Sequence, residues 1–136
     1  MNSPRYLLDT NIVSDLVRHP DGLVMQHIAA VGAEKIGISI IVACEMRFGA
    51  TKGGSLRLAQ RVNLVLSQIA IFPMEPPVEE HYADIRVALE KMGQPIGPND
   101  LLIAAHARSL GLTLVTDNVR EFSRVPGLRV ENWLEH

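Results

Sequence analysis

Tyr6-Leu7-Leu8-Asp9-Thr10-Asn11 is the stretch on which the reading of the fold turns: three hydrophobic residues stop abruptly at an acid followed by two small polar side chains. A short apolar run closed in this way has the form of a buried strand that ends in a helix-capping turn. The same form recurs late in the chain, where Leu112 to Val115 gives way to Thr116-Asp117-Asn118. A third β-like run lies at Ile69 to Phe72, and shorter ones at Lys35 to Ile38 and Leu128 to Val130. The spacing between these runs is helical.

Val78, Tyr82, Ile85, Leu89 and Met92 step by four and three after Pro76-Pro77, with Glu79, Glu80, Arg86, Glu90 and Lys91 on other faces, which predicts an amphipathic helix. Ser55 to Ser67, after the Gly53-Gly54 break, places Leu58, Val62, Val65, Leu66 and Ile69 on one side. Asp100 to Leu110 is apolar nearly all round and predicts a buried helix. Gly93 to Pro98 reads as one loop. Short strands alternating with helices predict an α/β fold, a central and mostly parallel sheet of four to five short strands covered on both faces, because parallel neighbours need crossovers.

With 136 residues and 47% hydrophobic composition, the chain is expected to form one domain over 1–136. The last three residues, Leu134, Glu135 and His136, read equally as native or as the stub of a purification tag and carry no functional weight. Thirteen Lys and Arg against fifteen Asp and Glu exclude a bulk basic coat protein and a disordered acidic chain. One cysteine, Cys44, excludes an internal disulfide framework and is expected to be a small buried hydrophobe. No secretory signal or membrane-spanning run is visible: the longest nearly uncharged apolar stretch, Ile36 to Cys44, ends at Glu45. A reducing, cytoplasmic setting is expected.

In an open parallel sheet, functional groups gather beyond the carboxyl ends of the strands. Asp9 and Asp117 each follow a strand there. Asp100 opens the buried helix behind Gly97-Pro98-Asn99, and Glu45 sits in an apolar stretch where a charge needs a partner. Singly, Asp9, Asp117 and Asp100 read as helix caps, and Glu45 as a partner of Arg47 or a solvent-facing acid. Together they imply a cation, because two unit charges about 4 Å apart repel by roughly 4 kcal/mol at an effective dielectric near 20. An all-oxygen set suits Mg²⁺, with Mn²⁺ as a substitute, and hence phosphoryl chemistry. Other options are thinner. The five histidines have no zinc spacing, His106 reads as a packed core histidine, and Gly49 to Ser55 does not match a phosphate-cradling loop.

The chain resembles the PIN-domain ribonucleases and, more narrowly, the VapC toxins of bacterial type II toxin-antitoxin pairs. The resemblance spans essentially the whole chain. It rests on Leu7-Leu8-Asp9-Thr10-Asn11; on Ile38-Ser39 leading through Glu45 to Arg47-Phe48-Gly49-Ala50; on Ile96-Gly97-Pro98-Asn99-Asp100 and the following Leu101 to Ala107; and on Val115-Thr116-Asp117-Asn118-Val119-Arg120-Glu121-Phe122. The ending Gly127 to Trp133 is also similar. It implies a PIN-like α/β/α sandwich. It also implies that Asp9, Glu45, Asp100 and Asp117 are the catalytic and metal-binding carboxylates, with either Asp117 or Glu121 completing the set. Thr10, Asn11, Thr116 and Asn118 would brace them by hydrogen bonds.

The activity implied is Mg²⁺-dependent endonucleolytic hydrolysis of RNA, with tRNA the first substrate class, leaving 5′-phosphate and 3′-hydroxyl ends. Phosphate contacts would fall to Arg47, Lys52, Arg57, Arg61, Arg120 and Arg124, and six aromatics argue against recognition dominated by base stacking. The resemblance further implies a homodimer and a VapB-type antitoxin. Leu16, Val17, Leu23, Val24, Met25 and Ile28, with Ile40 to Val42, are a candidate receptor, the alternative being that they cover the sheet. Three rivals stand beside this reading: a non-catalytic PIN-like binding module, an aspartate-dependent phosphotransferase of another α/β family, and an RNase using two histidines. A dehalogenase-type phosphatase would want an acid two residues after Asp9, where Asn11 stands.

Overall fold

In the computed structural model, which describes residues 3–135, five short strands form one sheet. They are β1 (Tyr6–Leu8), β2 (Ile36–Ser39), β3 (Ala70–Phe72), β4 (Thr113–Val115) and β5 (Val130–Glu131), in the spatial order β3-β2-β1-β4-β5. Each expected strand forms, displaced by at most two residues, and the sheet expected to be mostly parallel is parallel at every pairing among the described residues. Every residue of β1, β2 and β4 is buried, so both faces of the sheet centre are covered. The edge strands β3 and β5 keep exposed residues.

Seven helices surround this sheet among the described residues: α1 (Thr10–Arg18), α2 (Leu23–Val31), α3 (Ile40–Gly53), α4 (Leu56–Gln68), α5 (Val78–Lys91), α6 (Pro98–Leu110) and α7 (Val119–Phe122). The apolar stretch Ile36 to Cys44 is two elements, β2 and the first turn of α3. They divide at Ser39, whose Oγ accepts the Ile41 N–H at 3.1 Å and caps the helix. The buried helix α6 begins two residues before the expected Asp100 because Pro98 fits a first helical turn, where no N–H is needed. Asp100 therefore lies inside that turn. The faces read from periodicity hold, with Val78, Ile85 and Leu89 of α5 and Val62 and Leu66 of α4 buried, whereas Met92 lies past the end of α5 and is exposed.

One expectation is corrected and one open alternative is decided. Cys44 is exposed, because Val42, Ala43, Met46 and Ala50 form the inward stripe of α3 and position 44 is rotated off it. Of the candidate antitoxin receptor, Leu16, Val17, Val24, Ile28 and Val42 are buried in the chain's own core, leaving Met25 and Ile40 exposed. At the carboxyl end Trp133 is buried, edge-on to Tyr6 and stacked on His27, and Leu134 packs against the core. Met1, Asn2 and His136 lie outside the described residues.

Gly37 in β2 is a fixed point of the packing. A Cβ there would stand 2.3 Å from Phe72 Cε2 and 3.1 Å from the Ala70 carbonyl oxygen of the neighbouring strand. Gly37→Ala is expected to destabilise the protein by about 1–3 kcal/mol through overpacking. Gly49→Ala, in mid-helix with nothing within 4 Å of the added carbon, is expected to stabilise it by about 0.5–1 kcal/mol. Urea midpoints of the two variants check the opposite signs.

Candidate active site

From β1 the chain moves to β2 and β3 on one side, then returns to place β4 and β5 on the other, so the strand order reverses between β1 and β4. A crevice opens beyond the strand ends at such a point. Leu8 pairs with Val115, and the next residues, Asp9 and Thr116, are joined there. The Asp9 N–H donates to the Val115 carbonyl at 2.8 Å, and Thr116 Oγ1 donates to Asp9 Oδ2 at 2.8 Å. The other carboxylate oxygen of Asp9 accepts the Thr10 N–H at 2.8 Å, which caps α1. Asp9 is thus both a cap and a site residue.

Each of the other braces holds a different acid. Thr10 Oγ1 donates to Glu45 Oε1 at 2.6 Å, the partner that an acid in an apolar stretch requires. Asn11 Nδ2 donates to Asp117 Oδ1 at 3.1 Å, and Asn118 Nδ2 to Glu121 Oε2 at 2.6 Å. Thr116 Oγ1 also accepts the Asn118 N–H at 3.0 Å, which fixes the turn after β4. Arg47, the alternative partner for Glu45, instead donates to Asn63. Asp100, in the first turn of α6, stands beside Glu121 of α7.

Burial raises the Asp9 pKa, against the lowering effect of the Thr116 and Thr10 hydrogen bonds, and the charges of Glu45 and Asp117 raise it further. The Asp100 carboxyl is pushed up to about 7 by burial, by its hydrogen bond and charge contact with Glu121, and by the charges of Asp9 and Glu45. Asp9, Glu45, Asp100, Asp117 and Glu121 therefore share one edge, where Asp9 feels the charges of Glu45 and Asp117 and Asp100 those of Glu121, Asp9 and Glu45. As they stand, no three of the described His, Cys, Asp or Glu side chains converge tightly enough to enclose an ion. Each is held by its own partner. The donor set is carboxylate oxygen throughout, which fits Mg²⁺ or Mn²⁺ and not a zinc site built on nitrogen or sulfur.

Ser39 and His106 were not legible as site residues. His106 is fully buried, its Nδ1 lies 2.8 Å from Ser39 Oγ, and its Nε2 has no hydrogen-bond partner. Burial lowers its pKa, offset in part by the Pro73 carbonyl. The contact ties the start of α3, which carries Glu45, to α6, which carries Asp100. A serine after a strand signals a cap, but nothing in the sequence signals a partner 67 positions away. The other described histidines are engaged away from the acids: His27 on Trp133, His81 as acceptor from Arg108, and His19 at the far end of α1. That removes the paired-histidine rival among the described residues.

Residues 6–128 match the PIN domain, and the chain belongs to that family. Its relatives narrow this to the VapC ribonucleases. It is 38% identical over 130 residues to ribonuclease VapC2 of Rickettsia felis, covering 94% of this chain and 97% of the relative. It is 35% identical over 133 residues to the tRNA(fMet)-specific endonuclease VapC of Shigella flexneri, covering 95% and 98%. The solved structure of VapBC2 from Rickettsia felis bound to a promoter DNA fragment superposes with a TM-score of 0.87 at 35% identity, covering 94% of this chain and 98% of that one. No helix of the described residues is long and apolar enough to cross a membrane.

The raised Asp100 pKa gives a signed expectation. Between its ordinary value of 3.8 and about 7, the folded chain keeps a proton that the unfolded chain has lost, so stability falls as pH rises through that window. In metal-free buffer the thermal midpoint should be lower at about pH 8 than at about pH 5, and Asp100→Asn should flatten the difference. A midpoint that climbs over the same interval in the wild type would contradict the crowding of these acids.

Proposed function

We propose that this protein is a Mg²⁺-dependent endoribonuclease that hydrolyses tRNA, the toxin of a toxin-antitoxin pair silenced by a VapB-type antitoxin. The feature that carries the reading is the gathering of five carboxylates at the β1/β4 strand ends, where burial and then the neighbouring acids push the Asp100 carboxyl up to about 7. Asp9 and Asp100 would hold the ion, with Glu45 and either Asp117 or Glu121 completing its surroundings. Such an ion, when bound, supplies Lewis-acid stabilisation of phosphate charge and a more acidic water.

The chain's own part is to position and to exchange protons. Thr116 keeps Asp9 turned to the crevice, and Thr10 holds Glu45 towards it. Removing such a brace typically costs about 10–100-fold in metal affinity or activity. With its pKa pushed up to about 7, Asp100 would have to be deprotonated to hold the ion, so binding would release protons. The tRNA assignment draws on the Shigella flexneri relative, a tRNA(fMet)-specific endonuclease. An antitoxin segment could reach the acids along a cleft of about 240 Å³ between α1, α3 and α4, lined by Thr10, Ser14, Val17, Glu45, Met46 and Val62. The homodimer implied by the family resemblance belongs to the same reading.

EDTA is expected to abolish RNA cleavage, and Mg²⁺ or Mn²⁺ to restore it with 5′-phosphate and 3′-hydroxyl products. Continued cleavage in EDTA would sink the metal assignment. Asp9→Ala and Asp100→Asn should stay folded and lose about a hundredfold or more in kcat, the scale seen when a charge-stabilising group is removed. Thr116→Val should lose about 10–100-fold and need more Mg²⁺ for half-maximal rate, which end-labelled RNA cleavage at graded Mg²⁺ measures.

A further inference from the structure

Between Met46 and Met74 the sequence has four cations, Arg47, Lys52, Arg57 and Arg61, and no Asp or Glu, so the remaining nine Lys and Arg share the chain with all fifteen acids. In the fold this segment is α3 from Arg47 onward and the whole of α4, packed together with the turn at Gly54 between them, leading on through β3. Arg47 spans the pair by donating to Asn63. Among the described residues none of these four cations forms an ion pair, whereas Arg86 pairs with Glu90 and Arg108 with Asp84. A chain of net charge −2 thus holds a basic, acid-free segment whose four cations have no carboxylate partner.

That segment begins at the acids. Glu45, Phe48 and Lys52 stand at i, i+3 and i+7 of α3, on one side of the helix and about 5 and 10 Å apart along its axis. Phe48 is 66% exposed and is the one exposed aromatic among the described residues, with Lys52 Nζ 5.7 Å from its ring centroid. One turn apart on α4, Arg57 and Arg61 line a hollow with Ser55 and Leu58. An open aromatic ring beside unpaired cations is the arrangement that takes a nucleic-acid base and its phosphates. A protein-binding core is instead depleted of charge, whereas here the cations alternate along the chain with the exposed Phe48, Leu56 and Leu64.

We propose that the α3–α4 pair is the RNA-docking face: one base stacks on Phe48, and backbone phosphates meet Lys52, Arg57 and Arg61, guiding the strand to the acid edge. This rests on the reading of the chain as an RNA-cleaving enzyme. Unfractionated tRNA tests the face and bis(p-nitrophenyl) phosphate, a phosphodiester small enough to need only the acid edge, tests the chemistry. In an Asp100→Asn background, Arg57→Gln with Arg61→Gln should lower the slope of log Kd against log salt by about 1.5–2. Phe48→Ala should weaken tRNA binding roughly 5- to 150-fold, and Phe48→Trp should retain it.

With Asp100 intact, the same changes should leave metal-dependent bis(p-nitrophenyl) phosphate hydrolysis unaltered. Unchanged tRNA affinity and salt slope would overturn the proposal, as would a parallel loss on both substrates. Unchanged tRNA binding with weakened antitoxin capture would overturn it in favour of a protein face. A wild-type protein without metal-dependent hydrolysis of the small diester would instead refute the nuclease reading, while the tRNA arm still decides the docking face.

Discussion

The hydrogen bonds between Asp9 and the end of β4 are the constraint on which the rest of the site depends. Asp9 is 4% exposed, and a carboxylate in that position must be compensated. Its own N–H extends the β1/β4 ladder to Val115, while its side chain receives the Thr116 hydroxyl and the Thr10 N–H. One residue therefore ends a strand, starts a helix and faces the crevice at the strand-order reversal. These hydrogen bonds favour the ionised form but are outweighed by burial and by the charges of Glu45 and Asp117. The pocket is electrostatically prepared for positive charge.

The surrounding polar residues divide the work so that like charges can coexist. Glu45, Asp117 and Glu121 come from three different elements, and each has one donor from a turn or helix start beside the β1 or β4 end. Asp100 has no such neutral donor, and burial first, then the proximity of Glu121 and the charges of Asp9 and Glu45, raise its affinity for a proton. Below the acids, the buried Ser39–His106 contact joins α3 to α6. Glu45 and Asp100 are thereby carried on helices whose relative placement is fixed within the core.

Charge is distributed over the molecule in a way that net charge conceals. Five acids, Asp9, Glu45, Asp100, Asp117 and Glu121, collect at the sheet edge, and beyond Glu45 the α3–α4 pair has no acid. An acidic strand-end edge beside a run of cations gives the surface a strong local field, even though the whole protein is close to neutral.

Local signals fixed the strands, the capped helix starts and the four principal acids, because a buried parallel strand is an unbroken apolar run and a strand-to-helix turn requires a short polar cap. The resemblance carried by the same motifs added Glu121 and the braces. The division of Ile36–Cys44 into β2 and α3 was hidden, since an apolar run has no period to separate strand from helix. The inward or outward facing of Cys44, and of the apolar residues from Leu16 to Ile28, also depended on which stripe met the sheet. Sequence alone thus determined which residues could carry the chemistry. Only the tertiary structure decided their pairing, Thr10 with Glu45, Asn11 with Asp117, Asp100 with Glu121 and Ser39 with His106, because each contact joins separate elements brought together by sheet order and helix packing, which leave no local periodicity to read.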